Sequence, residues 1–137
     1  MGCTYKWADD SHLIMDLLVE APWTWDEYNS LLNEVFPILK NLNKPCAVTV
    51  DVSRVGKLPP GNALSYLGRA EKLMPINLFA SVIVGAPYIV TIFIDIMTRT
   101  RPHSRHATRF AKTVAEAHEK IHETYQQLFP SPKTQNE

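Results

Sequence analysis

The sequence predicts an α/β fold. The expected architecture is a mostly parallel central sheet of about five strands with about four helices, in the order ββαβαβαβα. Three observations predict it. Short β-branched runs such as Cys46–Val52 and Leu78–Val84 alternate with segments whose apolar residues recur at helical spacing. Two Thr-x-x-Glu capping boxes, Thr24 to Glu27 and Thr113 to Glu116, mark helix starts. The 137 residues are 45% apolar, which suits one hydrophobic core. The expected organisation is a single domain over residues 1–129 and a flexible polar tail at 130–137.

The first element is a short strand from Thr4 to Ala8. Asp9-Asp10-Ser11 supplies a turn, and His12 to Val19 returns as the second strand of a hairpin. Thr24 then caps a helix whose apolar positions are Tyr28, Leu31, Leu32, Val35, Phe36 and Leu39. Pro37 falls inside this helix and is expected to kink or end it.

Cys46 to Val52 is a buried strand. Pro60 suits the first turn of the next helix, which runs to about Met74. No charge interrupts Leu73 to Ile94, but Gly85-Ala86-Pro87 cuts that run into a strand, Leu78–Val84, and a separate element. Two buried elements explain it, and no membrane span is expected. Tyr88–Thr98 reads as a strand by its Ile, Val, Thr and Phe content or as a helix by periodicity. As a helix it puts Ile89, Ile92, Phe93, Ile96 and Met97 inward. Ala107–Phe110 is the last strand, and Thr113 caps a final helix to about Leu128.

Composition excludes several chemistries. Fourteen basic and fourteen acidic residues cancel, so no global field favours nucleic acid or anionic lipid. Two cysteines are too few for a disulfide framework, and a cytoplasmic setting is expected. No apolar stretch follows Met1-Gly2-Cys3, and Lys6 stands where a myristoylation signal wants Ser or Thr. No P-loop, G-x-G-x-x-G or nucleophile elbow occurs, and no cofactor is expected.

The ordered set Ala21-Pro22-Trp23-Thr24-Trp25-Asp26-Glu27-Tyr28, Val48-Thr49-Val50-Asp51-Val52-Ser53, Leu58-Pro59-Pro60-Gly61-Asn62-Ala63-Leu64, Ser81-Val82-Ile83-Val84-Gly85 and Arg109-Phe110 followed by Thr113-Val114-Ala115-Glu116-Ala117 resembles the STAS/SpoIIAA-like superfamily, the fold of anti-sigma-factor antagonists. The resemblance spans roughly Tyr5 to Leu128 and is closest to the poorly characterised bacterial branch. It implies a non-enzymatic domain that docks a partner protein in bacterial signalling. In the best-known branch a Ser or Thr at the start of the second helix is phosphorylated. The corresponding stretch here, Lys57-Leu58-Pro59-Pro60-Gly61-Asn62, holds neither, and Ser53 and Ser65 are the nearest hydroxyls.

Ligands of open α/β sheets gather beyond the carboxyl ends of strands. The candidate docking or anion-binding loop is therefore Ser53, Arg54, Lys57, Pro60, Gly61 and Asn62, beside a helix N-terminus. Arg99, Arg101 and Arg105 form a basic patch suited to an acidic partner. If Tyr88–Thr98 is helical, Val90 and Ile94 lie off the inner stripe and extend the apolar surface toward solvent. With Met97 at the edge of that stripe they are the candidate apolar interface, which predicts a homodimer or a lipid-like ligand. His118-Glu119-Lys120-Ile121-His122 spells H-E-x-x-H, the pattern of zinc hydrolases. The short remainder of the chain leaves little room for a third ligand, and flank positions of an amphipathic helix explain it better. Trp7, Trp23 and Trp25 are expected to cluster as packing residues.

Overall fold

The computed structural model describes residues 2–99 and 107–130. Arg101, Arg105 and the expected tail beyond Pro130 lie outside the described residues, as do the side chains of Met97 and Arg99.

Strands β1 (Cys3–Trp7) and β2 (Ile14–Glu20) form an antiparallel pair, with Cys3 opposite Val19 and Trp7 opposite Met15. Asp9 builds the turn between them by accepting the Ser11 N–H and hydroxyl at 2.9 and 2.5 Å. Helix α1 (Trp25–Asn41) opens as its capping box predicts, with Thr24 Oγ1 accepting the Glu27 N–H at 3.1 Å. Glu27 Oε2 accepts the Gly2 N–H at 2.9 Å and ties the helix start to the approach of β1.

Of the two expected outcomes at Pro37, the ending of α1 does not occur. Pro37 and Asn33, whose carbonyl loses its helical donor, both lie on the exposed side. Val35, Phe36 and Leu39 are buried around it and hold the helix through the interruption.

Strand β3 (Cys46–Arg54) runs past the expected end at Val52, because Arg54 pairs with Glu20 and its carbonyl accepts the Ala21 N–H at 2.9 Å. Helix α2 (Ala63–Lys72) starts later than Pro60. Gly61, with φ at +132°, cannot belong to a right-handed helix, and Asn62 Oδ1 caps the helix by accepting the Ser65 N–H at 3.2 Å. Strand β4 (Leu78–Val84) is buried along its length.

Helix α3 (Tyr88–Arg99) resolves the ambiguous segment. Its β-branched composition is overridden by topology. The next strand lies parallel to β4, and a parallel pair needs a crossover. Strand β5 (Ala107–Ala111) and helix α4 (Val114–Leu128) complete the chain.

The five strands lie in sequence order, with β2 to β5 parallel and β1 antiparallel at one edge. Right-handed crossovers stepping in one direction put their helices on one face. Met15, Leu17, Val19, Val48 and Val50 accordingly form one core with Leu31, Val35 and Leu39 of α1 and Ala70 of α2. Helix α4 packs on the other face, where Ala117 and Ile121 meet Ile14, Ala47, Val82 and Val84. No helix among the described residues is long and apolar enough to cross a membrane.

Candidate docking rim at the carboxyl end of the sheet

A sheet whose strands follow sequence order has no reversal point, so no crevice opens from that cause. The loops beyond the strand ends instead lock against one another as a rim. Trp23 Nε1 donates to the Val55 carbonyl at 2.8 Å, and Trp25 Nε1 donates to the Pro59 carbonyl at 3.2 Å. The two indoles meet edge to face, with centroids 4.9 Å apart. Tyr66 stacks on Trp25 at 5.2 Å, nearly parallel, and the Arg69 guanidinium lies 4.8 Å over the Tyr66 ring. The β3–α2 loop is therefore held at both ends by indole hydrogen bonds. Glycine suits position 61 because φ is +132°, where an L side chain is strained, and a Cβ there would also press on Trp25 and Tyr66 at 3.2 Å.

Within this loop the expected site residues take distinct roles. Arg54, Lys57, Pro60, Gly61 and Asn62 are exposed, as is Ser53. Ser53 donates its hydroxyl and its N–H to Asp51 Oδ1 at 2.6 and 3.0 Å. Arg54 Nη1 pairs with Glu20 Oε2 at 3.1 Å. Asn62 spends its side-chain oxygen on the cap. The anion-binding reading is weakened on each count: a carboxylate flanks Ser53, Arg54 is already paired, and Asn62 occupies the helix start. Lys57 is exposed and makes none of these contacts.

The neighbouring part of the rim is apolar. Gly85 (φ +67°) packs so closely on β3 that a Cβ there would stand 2.7 Å from Ser53 Cβ. This contact brings the start of α3 beside the loop. Tyr88 is 81% and Ile89 50% exposed at that point. Ile94, in contrast, is 9% exposed. Val90 and Ile94 face inward and line a cavity with Val55, Leu58 and Ala63. This reverses the expected orientation of α3. Among the described side chains of α3 the exposed apolar ones are Tyr88, Ile89 and Ile96, so the surface expected at Val90, Ile94 and Met97 loses Ile94 to the core, with Val90 half-buried beside it. The sheet sets the rotation, because a helix crossing back from β4 must turn one stripe onto β3 and β4, and composition alone leaves the stripe unspecified.

The H-E-x-x-H residues do not converge on a metal. His118 Nε2 lies 2.9 Å from Asp16 Oδ1, the same oxygen that accepts the Thr49 hydroxyl at 2.6 Å. An ionised carboxylate only accepts, so this imidazole nitrogen carries a hydrogen. The contact clamps α4 onto β2, and the same carboxylate accepts from Thr49, which is fully buried. Glu119 and His122 are exposed. Among the described residues no group of three or more His, Cys, Asp or Glu is placed to hold a metal ion. Cysteine chemistry is also muted, since burial pushes both the Cys3 and Cys46 thiols up to about 11.

Arg109 lies on β5 with Nη1 3.5 Å from Thr124 Oγ1 of α4. Trp7 stands apart from the other tryptophans, stacked on His12 at 4.3 Å.

Sequence reasoning missed the pinning roles of Trp23, Trp25 and Tyr66, and the exposure of Tyr88 and Ile89. The available signal was Asn62-x-x-Ser65, a cap spacing that places the helix start after Gly61. It also missed Asp16 and Thr49. Each is a polar residue interrupting an apolar strand, which is the mark of a buried partner.

Beneath α3 the packing is loose. Two adjoining cavities of about 70 and 60 Å³ lie between the sheet and α1 to α3, and both are lined by Tyr28, Val50, Leu67, Ile83 and Ile94. Burial pushes the Tyr28 phenol up to about 12, so it is a neutral donor there.

The chain matches no protein-family model, no curated protein and no solved structure.

Proposed function

We propose that this chain is a non-enzymatic, STAS-like binding domain that docks a partner protein in the cytoplasm through the rim formed by residues 55–62 and the start of α3. One observation carries the reading. A loop fixed by two indole hydrogen bonds stands beside the exposed apolar pair Tyr88 and Ile89. Exposed apolar side chains on a pre-ordered surface are what a protein interface needs, because little ordering entropy remains to be lost on binding. The resemblance of residues 48–53 and 58–64 to the antagonist domains points to the same end of the sheet. The missing Ser or Thr in Lys57–Asn62 makes this docking independent of the phosphorylation switch of that family.

Photo-crosslinking amino acids placed at Lys57 and Tyr88 are expected to give one discrete adduct in the source cells. The same probe at the exposed Glu123 of α4 gives none, and Ile89→Glu abolishes the rim adduct. Identical adducts from all three positions, or none from the rim, would refute the reading.

A second reading follows from the cavities beneath α3: storage of a small apolar ligand with one acceptor for the Tyr28 hydroxyl. Native mass spectrometry of the purified chain is expected to show a ligand-bound species that Leu67→Trp removes by filling the space. A single apo mass in the wild type, unaltered by adding a short-chain alcohol, would reject it.

A further inference from the structure

Strand β1 is an edge of the sheet, and its pairing register identifies which backbone groups are open. The Glu20 N–H donates to the Gly2 carbonyl at 2.6 Å, and the Ala8 N–H donates to the Ile14 carbonyl at 2.9 Å. In an antiparallel ladder, residues that bond inward alternate with residues whose N–H and C=O point away. Gly2 and Ala8 bond inward, so Thr4 and Lys6 do too. Cys3, Tyr5 and Trp7 therefore direct their backbone donors and acceptors outward. No strand pairs with β1 on that side among the described residues.

That open edge is one wall of a groove of about 500 Å³, whose other wall is α1. Asp26, Ser30 and Glu34 recur every four residues and share one face of the helix. All three are exposed. Cys3 and Tyr5 line the opposite side, Leu31 forms an apolar floor, and the lining contains no Lys or Arg. A strand edge facing a helix across a groove is the geometry in which an extended peptide adds to a sheet. Main-chain hydrogen bonds hold such a peptide, and alternate side chains select it. Here the selecting wall carries carboxylates.

We propose that the β1 edge and the acidic face of α1 form a second docking site, which takes an extended basic segment of a partner protein as a sixth strand. Charge complementarity sets the occupant. Lys or Arg at alternate positions reaches Asp26 and Glu34, while the intervening side chains turn to the other face. A second copy of β1 is disfavoured, because an isologous pairing brings two carboxylate walls together. The site runs along the β1 edge of the sheet, whereas the rim lies beyond the carboxyl ends of β3 and β4.

The test uses the full chain and a terminally blocked heptapeptide of alternating Lys and Val. Amide exchange followed by NMR is expected to slow at Cys3, Tyr5 and Trp7 on adding peptide, and not at Thr4 or Lys6. Asp26→Asn combined with Glu34→Lys is expected to weaken binding by about tenfold or more. Both positions are exposed, and circular dichroism confirms that the fold is kept. The matching Glu/Val peptide is expected not to bind. Binding without new protection at those three amides would mean electrostatic adhesion alone and would overturn the proposal. So would unchanged affinity in the double variant, or no binding at millimolar peptide.

Discussion

Trp23→Ala is expected to cost about 3–5 kcal/mol of folding stability, a large share of the total of about 5–15 kcal/mol for an ordinary domain. The indole is buried, stands edge-on to Trp25 and carries the hydrogen bond to Val55. Its removal empties space between β2, α1 and the rim at once. Trp23→Phe separates the two contributions. It keeps most of the apolar contact but strips the Val55 carbonyl of its donor, and is expected to cost about 1–3 kcal/mol. Urea midpoints measure both losses. Hydrogen exchange at residues 55–62 shows whether the loop is released. The pinning account requires faster exchange there in both variants. Equal stability of Trp23→Phe and wild type, with unchanged exchange, would show that the indole N–H orders nothing.

Gly85→Ala is expected to cost about 2–5 kcal/mol. Two causes add. The residue sits at φ +67°, which an L side chain adopts only under strain. The new Cβ would also stand 2.7 Å from Ser53 Cβ and 3.1 Å from Ser53 Cα, so the backbone of β3 or the start of α3 must move. Gly85→Asn tells the causes apart, because Asn tolerates the left-handed region but brings the same Cβ. If collision dominates, thermal melting places Asn close to Ala. If backbone strain dominates, Asn recovers most of the loss. A melting temperature for Gly85→Ala within a degree of wild type would show that the α3 start is not seated on Ser53. The same substitution is expected to weaken partner docking, since it displaces Tyr88 and Ile89 relative to the loop.

The elements were readable because their signals are local. Period-two and helical apolar patterns, two Thr caps and the Gly85-Ala86-Pro87 break place the elements of the described residues within a few residues of their observed bounds, with only the type of Tyr88–Arg99 left open. The errors fall where a long-range contact outweighs a local rule. Pro37 stays within α1 because buried neighbours hold both sides of it. The start of α2 moves from Pro60 to Ala63 because Gly61 must clear Trp25 and Tyr66. Ser53, Arg54 and Asn62 are exposed as expected, but their polar groups are already engaged by Asp51, Glu20 and the Ser65 N–H. Pairings across more than thirty positions, such as Arg54 with Glu20, leave no trace in local spacing.

The amino-acid sequence by itself determined the α/β class and the order of the strands and helices apart from α3, since those follow from side-chain periodicity and capping chemistry along a short stretch of chain. Only the tertiary structure decided which stripe of α3 faces inward, which loop groups remain open, and that β1 presents a bare edge to an acidic helix. Those outcomes depend on the register and direction in which distant strands pair. A helix with apolar residues on several sides has no preferred rotation until the sheet beneath it is in place.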